Sequence, residues 1–242
     1  MFIASPILVL ASWEALVRLH VIEGRFFPAP SWVFVELARM FLHGRLLADV
    51  DATLLRIGVG VLIGFVPGVV LGMMMGLLPW ARSFFSPLVA LTYPIPKIAI
   101  LPLLLIIFGI GELSNVMMVA IGVFYFGLIN TFAGVRQISR IHFEVAKVYG
   151  IGRASVFWRI VLPASFPGIF TGLRLGVGYA LILIVASEMV ASNAGLGHRI
   201  WLAWETYLIR ELYACLAVIS IIGIFLAVIL EKIEQKLIPW KV

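Results

Sequence analysis

Residues 54–78 read LLRIGVGVLIGFVPGVVLGMMMGLL, and Arg56 is the only charged residue among them. A bilayer core takes about 20 apolar residues in a helix, so this stretch is long enough to cross one. Hydrocarbon offers no partner to an open backbone, so such a segment is a helix and not a lone strand. Glycine recurs in it at every fourth position: Gly60, Gly64, Gly68, Gly72 and Gly76. That spacing lines one helical face and lets another backbone approach closely. Pro67 stands beside the stripe, where it can kink the helix. The same spacing returns at Gly168, Gly172 and Gly176. The stripes serve close packing alone, or they also give smooth faces that slide in a conformational change. An all-α membrane protein is the fold class that follows.

The rest of the chain agrees. Of 242 residues 63% are hydrophobic and 12% charged, about half the charged share of a soluble domain. Too few charges are present to cover a water-soluble surface, and the apolar content excludes disorder. Apolar segments can be marked at about 2–19, 54–78, 88–110, 113–135, 166–190 and 212–229, giving about six spans in one membrane domain with its core at about 50–235. Residues 1–13 lack a basic start and a small-residue cleavage site, so they read as a retained span and not a signal peptide. Residues 30–47 carry Trp32, Phe34 and Phe41 beside Glu36 and Arg39, the pattern of an amphipathic helix on the interface. The lone cysteine, Cys215, has no internal disulfide partner and reads as core filling.

Basic residues set the orientation. With six spans and an inside N-terminus, the inside connections hold Arg82, then Arg136, Arg140, Lys147, Arg153 and Arg159, then Lys232, Lys236 and Lys241. The outside connections hold Arg25, Arg39, Arg45, Arg199 and Arg210. The bias places both termini in the cytoplasm. The net charge of +6 is thus loop charge, spread with no dense run, and does not point to nucleic acid.

The most informative connection is HFEVAKVYGIGRASVFWRIVLPASFPGI, residues 142–169. It is too polar at its start to span, yet it is helical in period. Gly150 and Gly152 interrupt it, and Pro163 and Pro167 close it, which predicts two short helices at an angle. It is either a long turn or a docking surface for a soluble partner.

The spacing of Glu144, Ala146, Gly150, Ile160, Leu162 and Pro163 resembles the EAA loop of bacterial ATP-binding-cassette (ABC) importer permeases, with Val145 where that family usually has alanine. FPAPSWVFVEL (27–37), PIPKIAILPLLLIIFGIG (94–111), TFAGVRQI (131–138), GLRLGVGYA (172–180), SEMVASNAGLGHRI (187–200) and the Pro239-Trp240 ending resemble the subfamily that imports nitrate, sulfonates, taurine, bicarbonate and some vitamin precursors. The resemblance implies a type I importer permease (MetI-like) fold in an inner membrane, working as a dimer, with a homodimer expected. Two partner ATPases would bind ATP and Mg, and an external solute-binding protein would deliver the solute. An anion is the first expectation and a pyrimidine- or flavin-type vitamin precursor the alternative.

On that resemblance the loop at about 142–167 is a coupling helix. Glu144 would anchor its start by hydrogen bonds or an ion pair. Gly150 would permit the turn, Pro163 would stop the second helix, and Ala146 and Leu162 complete the motif. Arg153 and Arg159 would pair with acidic groups of the ATPase, or simply serve as inside charge. The chain has no G-x-x-x-x-G-K-[ST] run, so it is not expected to hydrolyse ATP itself. No cluster has metal-ligand spacing, and neither a catalytic residue nor a cofactor is expected. A stand-alone six-span secondary carrier is the other class, but neither an inverted repeat nor a set of in-span carboxylates is visible.

Ionisable residues within spans are functional candidates. Lys97 sits in the Pro94–Lys97 break, where it would either face a cavity as a cation for an anionic solute or snorkel to the headgroups. Glu188, late in the fifth span, would form an ion pair with a neighbouring span or shape an outer gate. Arg174 reads as an inner-interface charge. Tyr93, Tyr125, Asn130 and Tyr179 add polar tips along the expected path.

Overall fold

The computed structural model describes residues 4–44 and 46–239. Arg45, Trp240 and Lys241, which entered the sequence reading, lie outside them. Every regular element among the described residues is helical: α1 (Ala4–Arg18), α2 (Pro30–His43), α3 (Leu46–Leu77), α4 (Pro79–Thr92), a 3₁₀ turn (Lys97–Ile100), α5 (Leu101–Phe108), α6 (Glu112–Arg136), α7 (Arg140–Val148), α8 (Arg153–Val156), a π turn (Phe157–Val161), α9 (Leu162–Ala191), α10 (Leu196–Glu205) and α11 (Ile209–Leu237).

Four continuous helical stretches are long and apolar enough to cross a membrane: Leu46–Leu77, Glu112–Arg136, Arg153–Ala191 and Ile209–Leu237. A fifth candidate is the pair α4 and Lys97–Phe108, bent by 86°. The third expected span is therefore not a straight helix. Two prolines at 94 and 96 remove backbone donors and disfavour helix at the residue before each, so α4 ends at Thr92 and the chain turns. The first expected span appears as α1, whose described part is 15 residues, short of a full crossing.

Pro163 and Pro167 do not end a helix, contrary to the expectation. Both lie in α9, which runs on from α8 as one stretch, Arg153–Ala191. The π turn explains how. Leu162 N–H bonds to the Phe157 carbonyl, five residues back, and Pro163 follows in the first turn of α9, where a missing donor costs least.

The centre is a stack of α3, α6 and α9, with α6 in the middle. Lipid tails are as apolar as leucine, so helices in a bilayer associate through contact rather than through a hydrophobic driving force. Here the contact is backbone on backbone. A Cβ added at Gly64, Gly68 or Gly72 would overlap the carbonyl oxygens of Ala120, Phe124 and Leu128 in turn. On the other side of α6, a Cβ at Gly172 would lie 2.6 Å from the Phe126 oxygen, and one at Gly168 2.8 Å from the Asn130 oxygen. Both stripes read from the sequence are thus seats for the same helix. Ile57, Phe65, Val119, Val123, Ala180 and Ile184 fill the space between. A second core joins α2, the start of α3, α10 and α11 through Val33, Met40, Leu46, Leu196, Ile200 and Cys215.

Gly58 offers an internal control, because a Cβ there meets nothing within 4 Å. Thermal unfolding in detergent should show Gly64→Ala destabilised by about 1–3 kcal/mol through overpacking. Gly58→Ala should be neutral or stabilising by up to about 1 kcal/mol through helix propensity. Equal shifts for the two would contradict the close approach of α3 to α6.

Candidate functional sites

Three polar features stand out, at the two ends of the stack and between them. The first is the predicted coupling loop. α7 is capped at Tyr149, and Gly150 takes φ +67°, a left-handed backbone that side chains disfavour. Gly150 N–H bonds to the Lys147 oxygen at 3.1 Å and Ile151 N–H to the Ala146 oxygen at 2.9 Å. These are the two bonds of a Schellman cap, and they turn the chain sharply into α8. Ala146 is buried and, with Phe143, Ile151 and Phe157, lines a cavity of about 550 Å³ shared with Leu77 and Leu78. Ile141, Val145, Val148, Tyr149 and Trp158 are exposed on the outer side of the loop.

Glu144 is exposed and makes no side-chain hydrogen bond or ion pair among the described residues, so the expected anchor within this chain is not formed. Arg153 and Arg159 are exposed as well. Leu162 and Pro163 are partly buried at the start of α9.

The second feature is a cavity of about 330 Å³ between the α4–α5 bend, α6 and α9. It gathers four of the six path candidates: Tyr93, Lys97, Tyr125 and Tyr179, with Gly122 and Phe126. Lys97 is buried and does not stand free. Its Nζ donates to the Thr92 oxygen at 2.9 Å and the Tyr93 oxygen at 3.1 Å, and it lies 4.1 Å from the centre of the Tyr125 ring. The ammonium therefore caps the carbonyl end of α4, where helix dipoles leave partial negative charge, and its third side rests on an aromatic face. The Tyr93, Tyr125 and Tyr179 hydroxyls make no hydrogen bond to the chain among the described residues, which leaves three free O–H donors around the cavity. Asn130 is elsewhere: its Nδ2 bonds back along α6 to the Phe126 oxygen, and its Cβ faces Gly172.

Glu188, the sixth path candidate, does not line this cavity. It belongs to the third feature, an ion-pair lattice with a buried centre at the far end of the stack from the loop. Glu188 is fully buried and accepts from Arg56 Nη1 at 2.7 Å, Thr53 Oγ1 at 3.0 Å and Gly197 N–H at 2.9 Å. Arg56 also forks onto both carboxylate oxygens of Glu112 and donates to the Ala194 oxygen. Asp49 takes Gly195 N–H and Arg199, which reaches on to Glu211. Thr53 Oγ1 accepts from Leu196 N–H at 3.0 Å. Three consecutive N–H groups at the start of α10 are thus held by side chains of α3 and α9. Two of those side chains are carboxylates, the charge a helix N-terminus favours. A Cβ on Gly195, at φ +111°, would strike the Glu188 carboxylate, so the turn is glycine for space and backbone alike.

Sequence reading placed Arg56 at a span end and missed Asp49, Thr53, Glu112, Arg199 and Glu211 as partners. Asp49, Thr53 and Arg56 are spaced i, i+4, i+7, which is one helical face, and α3 starts at Leu46, eight residues before the apolar run. Tracing the helix back through that polar face is the signal that would have found the lattice. Arg174, expected at an inner interface, pairs with Glu234 of α11.

A transmembrane stack with an exposed, capped elbow at one end and a polar lattice at the other invites comparison with transport proteins. The profile of the family described as binding-protein-dependent transport system inner membrane component matches residues 68–239. The chain belongs to that family, the permeases of ABC importers. The permease is 32% identical to the taurine transport system permease protein TauC of Escherichia coli (strain K12), over 98% of this chain and 88% of that one. It is 31% identical to the nitrate import permease protein NrtB of Synechocystis, over 79% and 70% of the two chains. Its fold matches an inward-facing form of the MetNI methionine ABC transporter with a TM-score of 0.71 at 19% identity, covering 79% of this permease and 95% of that chain.

The lattice yields a direct test. Removing one partner of a buried ion pair strands the other, at a cost of about 3–5 kcal/mol, while removing both costs much less. Arg56→Met and Glu188→Met should each lower the midpoint of thermal unfolding in detergent, and the double variant should lie well above the sum of the two losses. Strict additivity would mean the two side chains do not interact.

Proposed function

We propose that this permease, as a homodimer, forms the path through which a small anion enters the cytoplasm, driven by two partner ATPases and fed by an external solute-binding protein. The observation that carries the coupling part is the α7–α8 elbow. It is closed by its own cap and presents exposed apolar and basic side chains outward, with Glu144 free for a partner. Glu144, Ala146, Gly150, Arg153, Arg159, Leu162 and Pro163 are assigned to ATPase coupling, with Glu144 pairing to the ATPase and not within this chain. ATP and Mg belong to the partner, since the chain has no phosphate-binding loop. The basic residues around the elbow support a cytoplasmic side there and both termini inside.

The anion is supported by the relatives that carry taurine and nitrate and by the cavity beside the α4–α5 bend. Tyr93, Tyr125 and Tyr179 supply neutral donors to an oxyanion. Lys97 acts from behind, since a cation on the face of Tyr125 draws electron density from the ring and strengthens its O–H as a donor. Weak, neutral donors suit a path, where a solute must also leave. Glu188 is assigned no part in the path on this reading; its carboxylate is committed to the lattice.

Two measurements on the assembled transporter in proteoliposomes test the proposal. Gly150→Ala strains the left-handed turn by about 1 kcal/mol without any clash, since a Cβ there meets open space. ATPase stimulation by the loaded binding protein should fall about fivefold with the complex still assembled. Glu144→Lys should lose stimulation outright, and unchanged stimulation in both variants would remove the coupling assignment. Tyr125→Phe keeps the ring and its contact with Lys97 and deletes one O–H. It should slow sulfonate or nitrate uptake about tenfold, the worth of one hydrogen bond to a charged group, and leave stimulated ATPase activity in place. Unaltered uptake would exclude the cavity from the path.

A further inference from the structure

On the lattice side of the membrane, α2 crosses α11 and separates two grooves of opposite chemistry. Above the crossing, toward the α10–α11 junction, Arg25, Arg39 and Arg210 surround a groove of about 400 Å³ together with Glu36 and Glu211. Glu36 is tied to Arg39 and Glu211 to Arg199. Arg25 and Arg210 pair with no carboxylate among the described residues. Each instead rests on an aromatic ring, Arg25 on Phe26 and Arg210 on Trp32, at 6.0 and 4.8 Å from the ring centres. Below the crossing, Phe34, Ala38, Phe41, Val218 and Ile222 line a groove of about 610 Å³ that is almost wholly apolar. Along α11, Val218 and Ile222 lie 8 and 12 residues past Arg210, or about 12–18 Å at the helical rise. That is close to the half-thickness of a bilayer core, the length of one acyl chain.

We propose that these two grooves hold one phospholipid. Its phosphodiester sits between Arg25 and Arg210, and one acyl chain passes the edge of α2 into the apolar groove. The assignment rests on charge and depth together. Two guanidinium groups without carboxylate partners fit a phosphodiester, and the apolar groove lies within the reach of one acyl chain from them. A soluble anion would have no use for the lower groove, and an acidic protein surface would not reach it. Trp32 and Tyr207 at the rim match the headgroup level at which such rings settle. Lipid held there would fill the space between α2 and α11 and fasten an amphipathic helix that otherwise leaves Phe34, Phe41 and Leu42 exposed.

Native mass spectrometry of the full chain, delipidated in detergent and then given palmitoyl-oleoyl phosphatidylglycerol, reads the site. One retained lipid per chain is expected. Arg25→Gln/Arg210→Gln should cut retention at least tenfold. Ala38→Phe, an exposed position that fills the lower groove, should do the same with both arginines intact. Lys232→Gln, near the opposite end of α11, should not change it. Circular dichroism on each variant separates loss of lipid from loss of fold. Wild-type retention in either groove variant overturns the proposal. So does displacement of the lipid by millimolar inorganic phosphate, which would mark a plain anion site. Loss of stimulation by the binding protein with lipid retention intact in the arginine variant would instead make the upper groove a protein-docking surface.

Discussion

The contact that the rest of this permease depends on is the seating of α6 between two glycine stripes. In hydrocarbon a helix gains nothing by hiding leucine from lipid, so packing has to come from closeness. Gly64, Gly68 and Gly72 bring α3 onto the carbonyls of α6, and Gly168 and Gly172 bring α9 onto the opposite side. Because the approach is so near, the register of the three helices is fixed to one residue. That register brings Arg56 on α3 to Glu188 on α9 and Glu112 at the head of α6. It also brings Tyr125 and Tyr179 to the same cavity.

Scarce charge is distributed accordingly. In a lattice of two arginines and four carboxylates, the buried members Arg56 and Glu188 would be costly if left alone. Here both arginines bridge two carboxylates each, and the buried carboxylate of Glu188 takes a side-chain hydroxyl and a backbone N–H besides its arginine. The lattice therefore does not read as a binding site with a vacant place. It ties the start of α10 to α3 and α9. The basic residues of the elbow, by contrast, are exposed and unpaired among the described residues, which is the state of groups that meet a partner or water.

Much of this was legible in the sequence. The helical class, the glycine seats, the break at Pro94 and Pro96 and the elbow at Gly150 each follow from a local rule about backbone or spacing. What was not legible depends on distance along the chain. Glu188 and Arg56 are 132 residues apart, and only the packed stack joins them. For Lys97 the sequence left two readings open, facing a cavity or snorkelling to the headgroups, and it lies on a cavity wall. Its actual engagement with the Thr92 and Tyr93 carbonyls needed the 86° bend to be seen. Pro163 misled for a local reason of its own: a π turn just before it moves the hydrogen-bond register, so a proline that ordinarily stops a helix is carried within one.

Since Pro163 and Pro167 do not break it, α8, the π turn and α9 form one continuous helical rod of 39 residues from Arg153 to Ala191, about 58 Å measured along its path. One end of the rod carries the elbow with Arg153 and Arg159. Its middle carries Tyr179 at the cavity, and its far end carries Glu188 in the lattice. On the proposed reading, a displacement of the elbow by an ATPase is felt at the cavity and the lattice without passing through any loop. Such a rod transmits best if its far end is held, because a held end turns a push into a tilt about that end. On that same proposed reading the lattice supplies the hold, and the cavity, lying between pivot and push, is where a tilt would change the space open to a solute.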